Sequence, residues 1–178
     1  MINIPNFITL LRLILIPITI IYLLQGRYEL ALILFIIAGL SDALDGFLAR
    51  ALKQKTLLGA ILDPIADKLL LDSIYILSAY LELMPDWIAV IVVSRDIFIL
   101  IGFIILTFFK KRLEVRPSIP SKMTTAFQII TVICVLSGLP QDIVMVVIYL
   151  TAGLTIFSGL HYLYQGLKSL SEEELEAE

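Results

Sequence analysis

Six aspartates, Asp42, Asp45, Asp63, Asp67, Asp72 and Asp96, sit inside or at the ends of long apolar runs. A carboxylate in a lipid-embedded helix is costly, so it marks a paired or functional position. Four of the six belong to one ordered stretch: Asp42, Asp45, Gly46, Ala49, Arg50, Gly59, Asp63 and Asp67. Drawn together in a poorly solvated place, four anions repel strongly, and either protons or cations must neutralise them. An all-oxygen ligand set selects hard metals, with magnesium first and manganese or calcium as competitors. Two such ions about 4 Å apart would suit a phosphoryl displacement, one at the attacking and one at the leaving oxygen. Arg50 offers a planar fork for phosphate. Gly46 and Gly59 leave room for close approach of a ligand, and Ala49 keeps the same face open. Thr56, Lys53 and Lys55 lie in the connection where the polar parts of a nucleotide would rest.

Helices must hold these groups. Asp42 and Asp45 are three residues apart and Asp63 and Asp67 four apart, so each pair shares a helix face. The short connection from Ala51 to Leu58 makes the two helices antiparallel neighbours and lets all four acids converge at similar depth. A span needs about 20 mostly apolar residues. Six candidates fit, at residues 7–24, 30–52, 57–80, 86–109, 122–139 and 141–164. Gln25-Gly26-Arg27, Met84-Pro85-Asp86 and Gly138-Leu139-Pro140 punctuate them. Pro17 lies inside the first, where a kink is expected.

The composition agrees. Of 178 residues 60% are hydrophobic and only 16% charged, with a mean hydropathy of +1.00. Soluble domains are about 45–50% apolar and about 25% charged. The expected fold is therefore an all-α integral membrane protein, a bundle of six transmembrane helices. Arg50, Lys53 and Lys55, then Lys110, Lys111, Arg112, Arg116 and Lys122, then Lys168, collect on one side, against Arg27 alone on the other. The positive-inside rule places both termini, and the end of the bundle carrying the acids, in the cytoplasm. No basic leader precedes the first apolar run, so a multi-pass protein of a bacterial-type inner membrane is expected. Residues 1–170 form the transmembrane domain, and the acidic residues 171–178 are expected to be a frayed, disordered tail.

Other classes are disfavoured. A net charge of −3 without a basic aromatic stripe gives no reason to expect nucleic acid. Cys134 and His161 are each alone in their type, which removes zinc and disulfide chemistry. Intramembrane acids also mark ion paths in transporters. Such folds show broken helices in both halves, whereas here the acids crowd into spans two and three.

The stretch reads D-A-L-D-G-F-L-A-R, eight residues, then G-A-I-L-D-P-I-A-D. It resembles, position for position, the signature of the CDP-alcohol phosphatidyltransferase family, D-x2-D-G-x2-A-R-x8-G-x3-D-x3-D. The likeness extends over the chain through six spans and an N-terminal Asn3-to-Arg12 stretch similar to the branch that makes phosphatidylglycerol and cardiolipin. The resemblance implies transfer of a phosphatidyl group from CDP-diacylglycerol to an alcohol, with release of CMP, by a homodimer. It makes Asp42, Asp45 and Asp63 metal ligands, and Asp67 the general base that also touches the second metal. Gly46, Ala49, Arg50, Thr56 and Gly59 would face CDP-diacylglycerol.

Two acceptors suit the resemblance, glycerol-3-phosphate and phosphatidylglycerol. Ser94-Arg95-Asp96 departs from the Ala-Arg-Glu of phosphatidylglycerophosphate synthases, and Phe103 stands where those carry a second arginine. Arg116 to Gln128, and Gly39-Leu40-Ser41, look more like the cardiolipin type. A missing cation suits a phosphodiester, so the expectation leans to phosphatidylglycerol. Arg95, Arg116 and Lys122, with Asn6, Thr9 and Arg12 at the start of span one, are the candidates for holding the acceptor.

Overall fold

In a computed structural model the regular secondary structure of the described residues is entirely helical. These are residues 4–51, 57–108 and 119–176 for the backbone, and 11–41, 68–102 and 120–165 for side chains. Six helices follow in order: α1 (Ile4–Leu24), α2 (Tyr28–Ala51), α3 (Leu57–Tyr80), α4 (Asp86–Phe108), α5 (Ile119–Leu136) and α6 (Gln141–Glu176). Each coincides with one expected span to within a few residues, save at the C-terminus. There α6 continues to Glu176, so Ser171–Glu176 is helical where a frayed tail is expected. Leucine and glutamate are strong helix formers, and no proline or glycine interrupts this stretch. α1 runs unbroken through Pro17.

Three turns end their helices in the same way. After α1, Gly26 N–H donates to Leu23 O and Arg27 N–H to Tyr22 O. After α3, Glu82 donates to Ala79 O and Leu83 to Ser78 O, and after α5, Gly138 donates to Val135 O and Leu139 to Cys134 O. This is the Schellman pattern, which needs a left-handed residue just past the helix. Gly26 (φ 71°) and Gly138 (φ 66°) adopt it freely, whereas Glu82 (φ 58°) does so against its Cβ.

The chain forms two compact units, Met1–Asp86 with Val132–Leu139, and Trp87–Thr131 with Pro140–Glu178. In the first, α1 packs against both α2 and α3, and α2 touches α3. Ala31 and Ala38, seven residues apart on one face of α2, are wholly buried. Small side chains at such positions let helix backbones approach closely. Ile74 and Tyr75 of α3 are also wholly buried.

The second unit has its polar groups inside. Thr124, Gln128 and Thr131 of α5 and Thr151, Thr155 and Ser158 of α6 are buried. Thr131 and Thr151 hydroxyls bond to each other at 2.8 Å, Thr124 Oγ1 donates to Leu154 O at 3.0 Å, and Thr151 Oγ1 to Phe127 O at 3.3 Å. Val146, Leu150, Phe157, Leu160 and Leu163 meanwhile point outward from α6. Hydroxyls inside and large apolar groups outside invert the pattern of a water-soluble bundle. The arrangement fits helices joined in lipid, where apolar burial gives no drive to associate and hydrogen bonds and close packing supply it. Among the described residues, Gln141–Gln165 alone is long and apolar enough to cross a membrane unaided, with a mean hydropathy of 2.2.

Candidate functional site

The acid series falls on two touching helices. Asp42, Asp45, Gly46, Ala49 and Arg50 lie on helical backbone in the last three turns of α2. Gly59, Asp63 and Asp67 lie on the first three turns of α3. α2 and α3 are in contact within the first unit, joined by residues 52–56. The side chains of this series, and Thr56, lie outside the described residues. What the backbone supplies is register. A helix advances about 1.5 Å and 100° per residue, so residues three or four apart stack on one face. Among the described residues no group of three or more His, Cys, Asp or Glu gathers.

The other candidates separate. Asn6 and Thr9 lie on the helical backbone of α1, and their side chains are outside the described residues, as is Arg116. Arg12 is 1% exposed, inside the first unit. A guanidinium so enclosed belongs to the interior of that unit rather than to its surface.

Arg95 belongs to the second unit and is also buried, at 6% exposure. Its Nη1 donates to Asp96 Oδ1 at 2.6 Å, a salt bridge between side chains 5% and 1% exposed. Its Nη2 donates to Ser121 Oγ of α5 at 2.8 Å and to Ser158 Oγ of α6 at 2.9 Å. One side chain thus ties three helices together. The arginine stem passes over Gly159, where a Cβ would stand 3.6 Å from Arg95 Cγ, in ordinary van der Waals contact. Next to Ser121, Lys122 is exposed.

Ser121 and Ser158 are absent from the sequence candidates. Ser121 falls in the Arg116–Gln128 segment singled out there, but Ser158 is 63 positions from Arg95. No local spacing could have linked them, because the link exists only once α4, α5 and α6 have packed.

At the start of the second unit Trp87 of α4 stacks on Tyr149 of α6, with centroids 5.6 Å apart and planes at 27°. Partly exposed aromatics at span ends suit the headgroup level of a bilayer. On α6, Gln165 Nε2 and His161 Nε2 lie 3.0 Å apart, and the Phe157 and His161 rings stack. His161 is therefore held within its own helix. Its neighbours here are an amide and a phenyl ring, neither of which makes a metal site.

Comparison with known proteins places this geometry. The sequence model of the CDP-alcohol phosphatidyltransferase family matches residues 2–157. A CDP-diacylglycerol–glycerol-3-phosphate 3-phosphatidyltransferase of Aquifex aeolicus is 40% identical over 70% of each chain. Its namesake in Haemophilus influenzae is 34% identical over 94% of this chain and 95% of its own. A probable CMP-forming cardiolipin synthase of Drosophila melanogaster is 43% identical, over 58% of this chain and 33% of its own. The family match takes in all of α1 to α5, the α2–α3 acid series and the Arg95–Ser121 contact, and this protein belongs to the CDP-alcohol phosphatidyltransferase family of enzymes.

Proposed function

We propose that the protein transfers the phosphatidyl group of CDP-diacylglycerol to phosphatidylglycerol, releasing CMP and forming cardiolipin. The transfer itself rests on one observation: the complete series of four aspartates, two glycines and an arginine, carried in register on two touching helices. The donor set is all carboxylate oxygen, which fits magnesium. Asp42, Asp45 and Asp63 would hold two magnesium ions, with Asp67 also at the second. The ions would supply positive charge against the pyrophosphate. Asp67 takes the proton of the acceptor hydroxyl, a weak nucleophile that gains from a base within hydrogen-bond reach. Arg50 binds the diphosphate and stabilises the charge that develops on departing CMP. Gly46, Ala49, Thr56 and Gly59 line the nucleotide side.

The acceptor is supported by the second unit. Arg95 is neutralised within the protein by Asp96 at 2.6 Å, and Phe103 stands where a second arginine is expected for a dianionic acceptor. Among the described residues of this region the exposed cation is Lys122, with Arg116 nearby in sequence. That suits a monoanionic phosphodiester arriving through the bilayer. The rival acceptor is glycerol-3-phosphate, supported by the names of the relatives that match end to end. The enzyme is read as a homodimer of the inner membrane, with six spans, cytoplasmic termini and the acids at the cytoplasmic face. The inside-out polarity of the second unit supports its embedding in lipid.

Purified protein in detergent, given CDP-diacylglycerol, magnesium and each acceptor in turn, tests both levels. Release of CMP with formation of cardiolipin supports the full reading. A product with a terminal phosphate, made only from glycerol-3-phosphate, would replace the acceptor. No CMP release with any alcohol would remove the transferase reading.

A further inference from the structure

Three contacts run α4 and α6 side by side in the same direction: Trp87 meets Tyr149, Arg95 meets Ser158, and Gly102 meets Tyr162. The last is the tightest. A Cβ added at Gly102 would stand 2.9 Å from Tyr162 Oη and 3.2 Å from its Cε1, closer than a real side chain would tolerate. The phenol head lies in a notch that exists only because position 102 has no side chain. Tyr162 is half-buried, yet among the described residues its hydroxyl makes no hydrogen bond. A tyrosine O–H held away from water usually finds an acceptor.

Depth identifies that acceptor. Gln141–Gln165 is an apolar helix of 25 residues, about 37 Å long, against about 30 Å of hydrocarbon. Centred in a bilayer, it leaves the hydrocarbon about 3–4 Å, or roughly two to three residues, short of Gln165. Tyr162 is at that level. The polar groups of a glycerolipid at this boundary are its acyl ester carbonyls, acceptors that carry no donor of their own. Four residues deeper than Gly102 on the same face of α4, Phe98 is 65% exposed and offers an apolar bed for the chain below the ester. Tyr164, by contrast, is 66% exposed and points outward, as an aromatic of the interfacial belt does.

We propose that the Tyr162 hydroxyl, seated over Gly102, donates a hydrogen bond to an acyl ester carbonyl of a bound glycerolipid substrate and so makes the protein select ester-linked over ether-linked lipids. This rests on the reading that the protein transfers phosphatidyl groups. An ether lipid of equal chain length keeps the headgroup and the chains but lacks the carbonyl oxygen. Donor and acceptor lipid both carry such esters, and the ether analogue of each in turn tells them apart.

Initial rates of CMP release are measured in mixed micelles for wild type, Tyr162→Phe, Gly102→Ala and the double variant. Each protein is given the diacyl or the dialkyl form of the CDP-linked donor and, separately, of phosphatidylglycerol. In wild type the dialkyl form of one of the two is expected to show a KM about fivefold higher, the size of one neutral hydrogen bond. Tyr162→Phe keeps the ring in its notch, so it should raise the diacyl KM by the same factor and leave the dialkyl KM unchanged. Gly102→Ala should do likewise by displacing the phenol, and the double variant should add nothing. If wild type uses both forms equally, or Tyr162→Phe keeps the preference, the hydrogen bond is refuted while the transferase reading stands. If Tyr162→Phe loses the preference but Gly102→Ala keeps it, the seat is refuted. No CMP release by wild type from any diacyl pair would overturn the transferase reading and this inference with it. The unchanged dialkyl KM separates a lost contact from a misfolded protein, which would lose both forms alike.

Discussion

The Arg95–Asp96 pair sets a stability prediction that can be worked from its geometry. Two unit charges 2.6 Å apart attract by about 6 kcal/mol at an effective dielectric near 20. Desolvation of both ions offsets much of that, so the intact pair contributes little net. Removing one partner is different, because the other stays buried with its desolvation cost and without its counter-charge, at about 3–5 kcal/mol. Asp96→Asn keeps shape and an acceptor oxygen but no charge, which puts it near the lower end, about 3 kcal/mol. For a chain of this size that is a fall in Tm of roughly 6–12 °C. Arg95→Met together with Asp96→Asn removes both charges. Ser158 can then turn to the carbonyl four residues back, as Thr125 and Thr155 already do. The double variant should recover more than half of the loss. The assay is thermal unfolding in detergent followed by Trp87, the single tryptophan, whose stacking on Tyr149 makes it report on the same unit. If the double variant is as unstable as Asp96→Asn, the cost does not come from an uncompensated charge and the reasoning is refuted.

Other expectations follow from single features. Glu82→Gly should raise stability by about 1 kcal/mol, since Glu82 holds a left-handed conformation that glycine adopts without a Cβ penalty; no change in Tm would mean the turn does not strain it. A double-mutant cycle of Thr131→Val and Thr151→Val should give a coupling of about 0.6 kcal/mol, the size found between helices in lipid, and additive effects would deny the hydroxyl pair a role. Asp67→Asn should retain CDP-diacylglycerol binding, measured by CMP-competed nucleotide binding, and lose at least about 100-fold in turnover, the lower range for a positioned base; normal turnover would remove the base assignment. Chelation of divalent cations should abolish turnover, with magnesium restoring it and manganese serving in part; full activity after exhaustive chelation would end the metal reading.

Much of the fold is legible from the chain because its punctuation is plain. Long apolar runs of helical length, cut by Gly26, Pro85 and Gly138, end in tight turns at those places. Hence six helices stand where six runs do. The acid series is legible for a related reason: its members lie three to four residues apart on two neighbouring helices, so local periodicity already assigns them a face. At the C-terminus Leu and Glu carry enough helix propensity to prolong α6 to Glu176.

By itself, then, the sequence determined the helices, the family and the acid series, because each depends on spacing within a few turns. Tertiary structure alone decided what surrounds Arg95. Its sequence neighbours showed one carboxylate, but whether it faced lipid, an acceptor or protein depended on α5 and α6 delivering Ser121 and Ser158 from 26 and 63 positions away. A hydrogen bond needs its partners within about 3 Å, and chain separation carries no information about that distance until the helices have packed.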